Sequence, residues 1–76
     1  MIQIELPKNT PKHINTNKRT VIQNTMPDGI LYISKNKRDN HKWFKLFPDQ
    51  VFTFEKGIWV KQIERQNWTF PVIQDI

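Results

Sequence analysis

The stretch Gln50-Val51-Phe52-Thr53-Phe54-Glu55-Lys56-Gly57-Ile58-Trp59-Val60-Lys61-Gln62-Ile63 decides between helix and sheet. Prolines stand at positions 7, 11, 27, 48 and 71, so a long helix has room only between Pro48 and Pro71. In that window Val51, Thr53 and Glu55 alternate with Phe52 and Phe54, the two-residue period of a strand. Gly57 interrupts the run, and Lys56-Gly57 reads as the turn of a hairpin into Ile58-Trp59-Val60-Lys61-Gln62-Ile63.

The same period extends outward in both directions. Upstream, Lys42-Trp43-Phe44-Lys45-Leu46-Phe47 sets Phe44 and Leu46 on one face and Trp43, Lys45 and Phe47 on the other, and Pro48-Asp49 turns the chain. Downstream, Trp68, Phe70 and Val72 alternate with Thr69, Pro71 and Ile73. Because Pro71 has no ladder donor, this last strand is expected at a sheet edge or a bulge. Thr20 to Thr25 and Ile30 to Ile33 supply two more strands around the turn Met26-Pro27-Asp28-Gly29. Ile2, Ile4 and Leu6 give the opening strand, which Pro7 ends.

The chain of 76 residues has no alanine and three leucines, against many β-branched and aromatic side chains, which suits a pleated surface. The expected fold is therefore all-β: a small antiparallel β-sandwich or barrel of six to seven short strands with an extended N-terminal arm. Lys8 to Arg19 is rich in Lys, Asn, Thr and Pro, with Ile14 its one aliphatic side chain, so it reads as that arm. The division is residues 1–19, strand and basic arm, and residues 20–76, the β domain.

Several chemistries are absent or weak. Without cysteine there are no disulfides, thiolate ligands or thiol nucleophile. Ser34 is the lone serine, and two glycines cannot build a phosphate loop. The acids are scattered, and His13 and His41 lie beside Lys12 and Lys42, which repel a cation. The expectation is a non-enzyme with no cofactor and no metal. No apolar run reaches the roughly 18 residues that suggest a membrane helix, and the N-terminus has no basic leader followed by an apolar block. A soluble protein made inside the cell is expected.

Charge is unevenly placed. From Lys8 to Lys45 nine basic residues face two acidic ones, a local excess of +7, while Leu46 to Ile76 carries −1. Lys35, Lys37, Arg38, Lys42 and Lys45 surround Trp43 and Phe44, a mixture that suits single-stranded nucleic acid through phosphate neutralisation and base stacking. The competing reading is that these lysines solvate a loop and the aromatics pack. Trp59 and Trp68 flank the last turn and are read as cross-strand neighbours in a core or subunit interface, with a sugar platform beside Gln62, Gln66 and Asn67 as the alternative.

The order Asn24-Thr25, Asp28-Gly29-Ile30-Leu31-Tyr32-Ile33-Ser34, Trp43, Leu46-Phe47-Pro48-Asp49-Gln50, Thr53-Phe54, Gly57-Ile58-Trp59-Val60-Lys61 and Phe70-Pro71-Val72 resembles small β domains of tailed-phage virion proteins. The resemblance covers Asn24 to about Gln74, with Pro48-Asp49 where such domains have Pro-Gly. It implies a capsid or tail structural subunit, such as a decoration or fibre component, working in repeated copies with larger virion proteins. The virion is then its location, after synthesis in the host cytoplasm. The residues expected to meet other subunits are Ile2, Ile4 and Leu6, adding a strand to a neighbour, and the aromatic anchors Trp43, Phe47, Trp59 and Trp68. Pairing of the first strand within its own subunit is the alternative. The alternative function is a small basic barrel that binds single-stranded nucleic acid.

Overall fold

Eight strands are present: β1 (Ile2–Pro7), β2 (Lys12–Ile14), β3 (Thr20–Gln23), β4 (Leu31–Ser34), β5 (Phe44–Leu46), β6 (Val51–Phe54), β7 (Ile58–Lys61) and β8 (Asn67–Gln74). The computed structural model describes residues 2–35 and 43–74, with backbone alone for residues 2 and 72–74, and these residues contain no helix. Every pairing is antiparallel, in two four-stranded sheets ordered β1-β8-β3-β6 and β2-β7-β4-β5.

The period-two pattern is what joins the sheets. Leu6, Ile22, Phe54 and Phe70 of the first sheet and Ile14, Leu31, Ile33, Leu46, Ile58 and Val60 of the second form one buried cluster with Met26. Their strand neighbours point the other way, as alternation requires. The two sheets thus cover one another's apolar faces, and the accessible area of 5198 Å² is close to the roughly 4900 Å² expected for a monomeric protein of this mass. Among the described residues no whole apolar sheet face is left open.

The connections differ from expectation in three places. The segment Glu55-Lys56-Gly57 does not close a hairpin: β6 lies in the first sheet beside β3, whereas β7 lies in the second between β2 and β4. A Cβ on Gly57 would stand 2.6 Å from His13 Nε2 and 3.2 Å from the Ile14 carbonyl oxygen. This glycine therefore permits a close approach at a corner between sheets.

The basic segment is not wholly an arm. Lys12–Ile14 pairs with β7, Ile14 is buried, and Thr16 and Thr20 are buried with their hydroxyl oxygens 3.0 Å apart. One aliphatic side chain was enough, because a neighbouring strand supplied the ladder that composition could not reveal. Finally, β8 is an inner strand of its sheet, which puts Pro71 in an unexpected place. The β1 ladder runs over residues 67–72 of β8, but the β3 ladder begins only at Val72. Pro71 thus has a strand on one side only, and its missing N–H breaks no pair with β3.

Two buried amides tie the crossings together. Asn24 Nδ2 donates to the carbonyls of Gly29 and Leu46, each at 2.8 Å, while its Oδ1 accepts from Met26 N at 2.9 Å. Gln62 Nε2 donates to the carbonyls of Leu6 and Arg65, and its Oε1 accepts from the backbone N–H groups of Glu64 and Arg65. Both side chains are fully buried, a placement tolerated only because their donors and acceptors are used.

Two turns carry a left-handed residue: Asn9 in Pro7–Thr10, with φ 59°, and Asp49 in Phe47–Gln50, with φ 68°. In each the fourth N–H donates to the first carbonyl, and the third residue takes the positive φ that a type II turn needs. Pro48 presets the second position of the later turn.

Candidate interaction surfaces

The first surface is an open seam. β5 and β6 are each one of the two outer strands of their sheets and, among the described residues, each pairs on one side only; the rings of Phe44 and Phe52 meet across the gap with centroids 5.1 Å apart. Phe52 stacks in turn near Phe54 at 5.9 Å. Phe44 (43% exposed), Phe47 (48%) and Val51 (55%) leave large apolar side chains on or beside these strands. A groove of about 490 Å³ runs along β6 past Phe52 and Phe54 to Gly57, with Lys35 and Lys56 on its walls.

The four outer strands are not alike. β1 carries Glu5 and Pro7, β2 carries Lys12, and β5 carries Lys45, whereas β6 is Val-Phe-Thr-Phe, with neither charge nor proline. Charges and prolines are the usual devices that stop an edge from pairing with another chain. β6 has none of them.

The second surface is the outward side of the β2-β7-β4-β5 sheet. Registration sets His13 beside Trp59 and Trp59 beside Ser34 in one row, with Lys61, Tyr32 and Lys45 in the next. The His13 and Trp59 rings lie 4.8 Å apart at an angle of 41°, and Lys61 Nζ sits 4.4 Å from the centre of the Trp43 ring. Trp43, Tyr32, Trp59 and Lys61 are half-buried, and His13 and Lys45 are exposed. No acidic residue occurs in any of these four strands.

The expected interface residues fall into different environments. Ile2 pairs through its backbone with Val72 of the same chain, so the first strand completes its own subunit. Leu6 is fully buried in the core and Ile4 packs against it, which makes both internal residues rather than anchors for a neighbour. Trp59 and Trp68 are not cross-strand neighbours: Trp59 faces outward from the second sheet, while Trp68, opposite Leu6, packs against the core with Arg65 over its ring at 4.9 Å. Arg65 also pairs with the Asp28 carboxylate. A sugar platform on these two indoles is accordingly ruled out, and Gln62 is spent on backbone groups. Phe47 is exposed.

Of the residues read as nucleic-acid contacts, Lys45 lies on the outward face with Trp43 close by, and Lys35 borders the groove. Lys37, Arg38 and Lys42 lie outside the described residues, as does His41. His13, Tyr32 and Lys61 join this face without a signal in the sequence that groups them. Each has the parity of an outward residue, but only the strand order brings the three to one face.

Among the described residues no group of three or more His, Asp or Glu side chains could hold a metal ion, and no helix is long and apolar enough to cross a membrane. Comparison with protein-family models, with curated proteins and with solved structures gave no match.

Proposed function

We propose that this chain is a non-catalytic structural subunit that assembles with further copies of itself through the open edge of β6. The observation that carries this reading is the contrast between β6 and the other three outer strands: it alone is uncharged and free of proline, it exposes its own Val51, and exposed Phe44 and Phe47 lie beside it. Pairing of β6 with β6 of a second copy, related by a two-fold axis, extends the first sheet and covers that apolar rim. Main-chain bonds give such a contact its affinity, and the apolar side chains give it its register.

The setting in a phage virion, in capsid or tail beside larger virion proteins, follows from the resemblance of the turn-and-strand pattern between Asn24 and Gln74. It agrees in kind with an assembling subunit made in the host cytoplasm. Recovery of the chain from purified particles of the native source tests that setting.

Self-association is tested by sedimentation over a wide concentration range. The native chain is expected to form dimers or larger species, and Val51→Lys with Thr53→Lys, which place charge on an exposed strand, is expected to hold it monomeric with unchanged circular dichroism. A native chain that stays monomeric at millimolar concentration overturns the proposal.

A further inference from the structure

Within the eight described strands, charge is sorted by layer. Strands of the second sheet contain Lys12, Lys45 and Lys61 with His13 and no acid, while strands of the first sheet contain one charged residue, Glu5. The outward aromatic side chains are sorted in the same way. Tyr32 and Trp59 face out from the second sheet, with Trp43 beside Lys61, whereas outward positions of the first include Gln3, Glu5, Val21, Thr53 and Thr69. The first sheet acts as an internal control. Both layers belong to one sequence in one solvent, so a general excess of lysine does not account for a face on which cations and rings are interleaved.

From this juxtaposition we infer that the outward face of the β2-β7-β4-β5 sheet binds single-stranded nucleic acid, with bases stacking on Trp59, Tyr32 and Trp43 and phosphates meeting Lys45 and Lys61. Neutralising phosphates releases counterions, and a half-buried ring offers a flat apolar surface to a base of any sequence. The rings are already held in place. His13 lies against Trp59, and Lys61 lies over Trp43, so less side-chain freedom is lost when a base arrives. Trp59 and the β5 side of the sheet are separated by one strand, roughly 10 Å at the usual strand spacing, which spreads the stacking positions across the face rather than in one pocket. A duplex keeps its bases stacked inside and can use only the lysines. The inference is independent of assembly through β6, because the β6 edge belongs to the other sheet.

The test is a titration of the intact chain with a dodecamer of thymidylate at about 50 mM salt, followed by tryptophan fluorescence. Quenching is expected, with affinity falling as salt rises; for single strands the logarithmic slope changes by about 0.7 per phosphate neutralised. Lys45→Gln with Lys61→Gln is expected to weaken binding at least tenfold and to make the slope shallower by more than one. Trp43→Ala is expected to weaken binding with the slope retained. Melting curves of each variant establish that the fold is intact, and Lys45→Gln alone, at an exposed site, serves if the double variant melts early. Val51→Lys leaves binding unchanged, which separates this face from the assembly edge. Absence of binding at low salt overturns the inference, as does equal affinity for a duplex of the same length without quenching, or affinity that the Lys45 variants do not alter.

Discussion

Asn24 Nδ2 donates to the Leu46 carbonyl oxygen at 2.8 Å, and so fastens the end of β3 in one sheet to the end of β5 in the other. The same amide holds the Gly29 carbonyl, and the backbone of Asn24 pairs with Gln50 and Asp49. One fully buried side chain thus fixes the loop before β4 and the turn before β6 together. Asn24→Ala leaves two carbonyls and one N–H without partners, at about 1–3 kcal/mol for each group that water cannot reach. Asn24→Asp keeps the shape and the acceptor for Met26 N but turns one carboxylate oxygen toward two carbonyls, and is expected to be the worse of the two. Chemical denaturation of both variants checks the order.

Asp49 occupies a left-handed conformation in which glycine has no steric cost. Asp49→Gly is expected to leave stability within about 1 kcal/mol of the native chain, on the stabilising side. Asp49→Val, a β-branched residue at positive φ, is expected to cost about 1–2 kcal/mol. Thermal melts of the pair settle whether the turn conformation or the aspartate side chain matters there.

Gly57 and His13 are expected to be coupled. A methyl group at Gly57 meets the imidazole first, at 2.6 Å, and then the Ile14 carbonyl, so Gly57→Ala pushes the ring from its place against Trp59. In a double-mutant cycle the cost of Gly57→Ala should be smaller, by about 0.5–1 kcal/mol, when His13 is already alanine. Tryptophan emission should shift in the single variant. Strict additivity would show that the two positions do not communicate.

The first strand belongs to the core rather than to a neighbour. Leu6 is fully buried and its carbonyl accepts from Gln62 Nε2 at 2.9 Å, while β1 pairs along β8. Leu6→Ala is expected to destabilise the subunit by about 2–5 kcal/mol. Removal of residues 1–7 is expected to abolish cooperative melting at any protein concentration. A shortened chain that melts like the native one but has lost only its oligomers would return this strand to the role of an exchanged arm.

Side-chain period was legible and strand partnership was not. The alternation of Val51 to Phe54 and of Ile58 to Val60 reappears in their burial, and Trp43 and Lys45 share one face opposite Phe44 and Leu46, as the period set them. What failed at Lys56-Gly57 was an inference from turn chemistry to pairing: a glycine that makes room at a corner looks the same in sequence as one that closes a hairpin. β2 went unread because three residues with one aliphatic side chain carry no period of their own. For the same reason His13, Tyr32 and Lys61 were invisible as a group, since they come from separate strands joined only by register. Asn24 and Gln62 stood inside expected strands with nothing to mark them as core residues, because burial of an amide depends on the carbonyls that the fold brings to it.

Six of the seven links between successive strands carry the chain from one sheet to the other, and the last strand lies between the first and the third. Nearly all pairing is therefore non-local, which slows folding. On the ribosome, the sheet that holds β1 cannot close until Asn67–Gln74 has emerged, so nascent chains wait unfolded until synthesis has passed the final strand. A premature stop anywhere before that point yields no stable fragment, only a target for proteases.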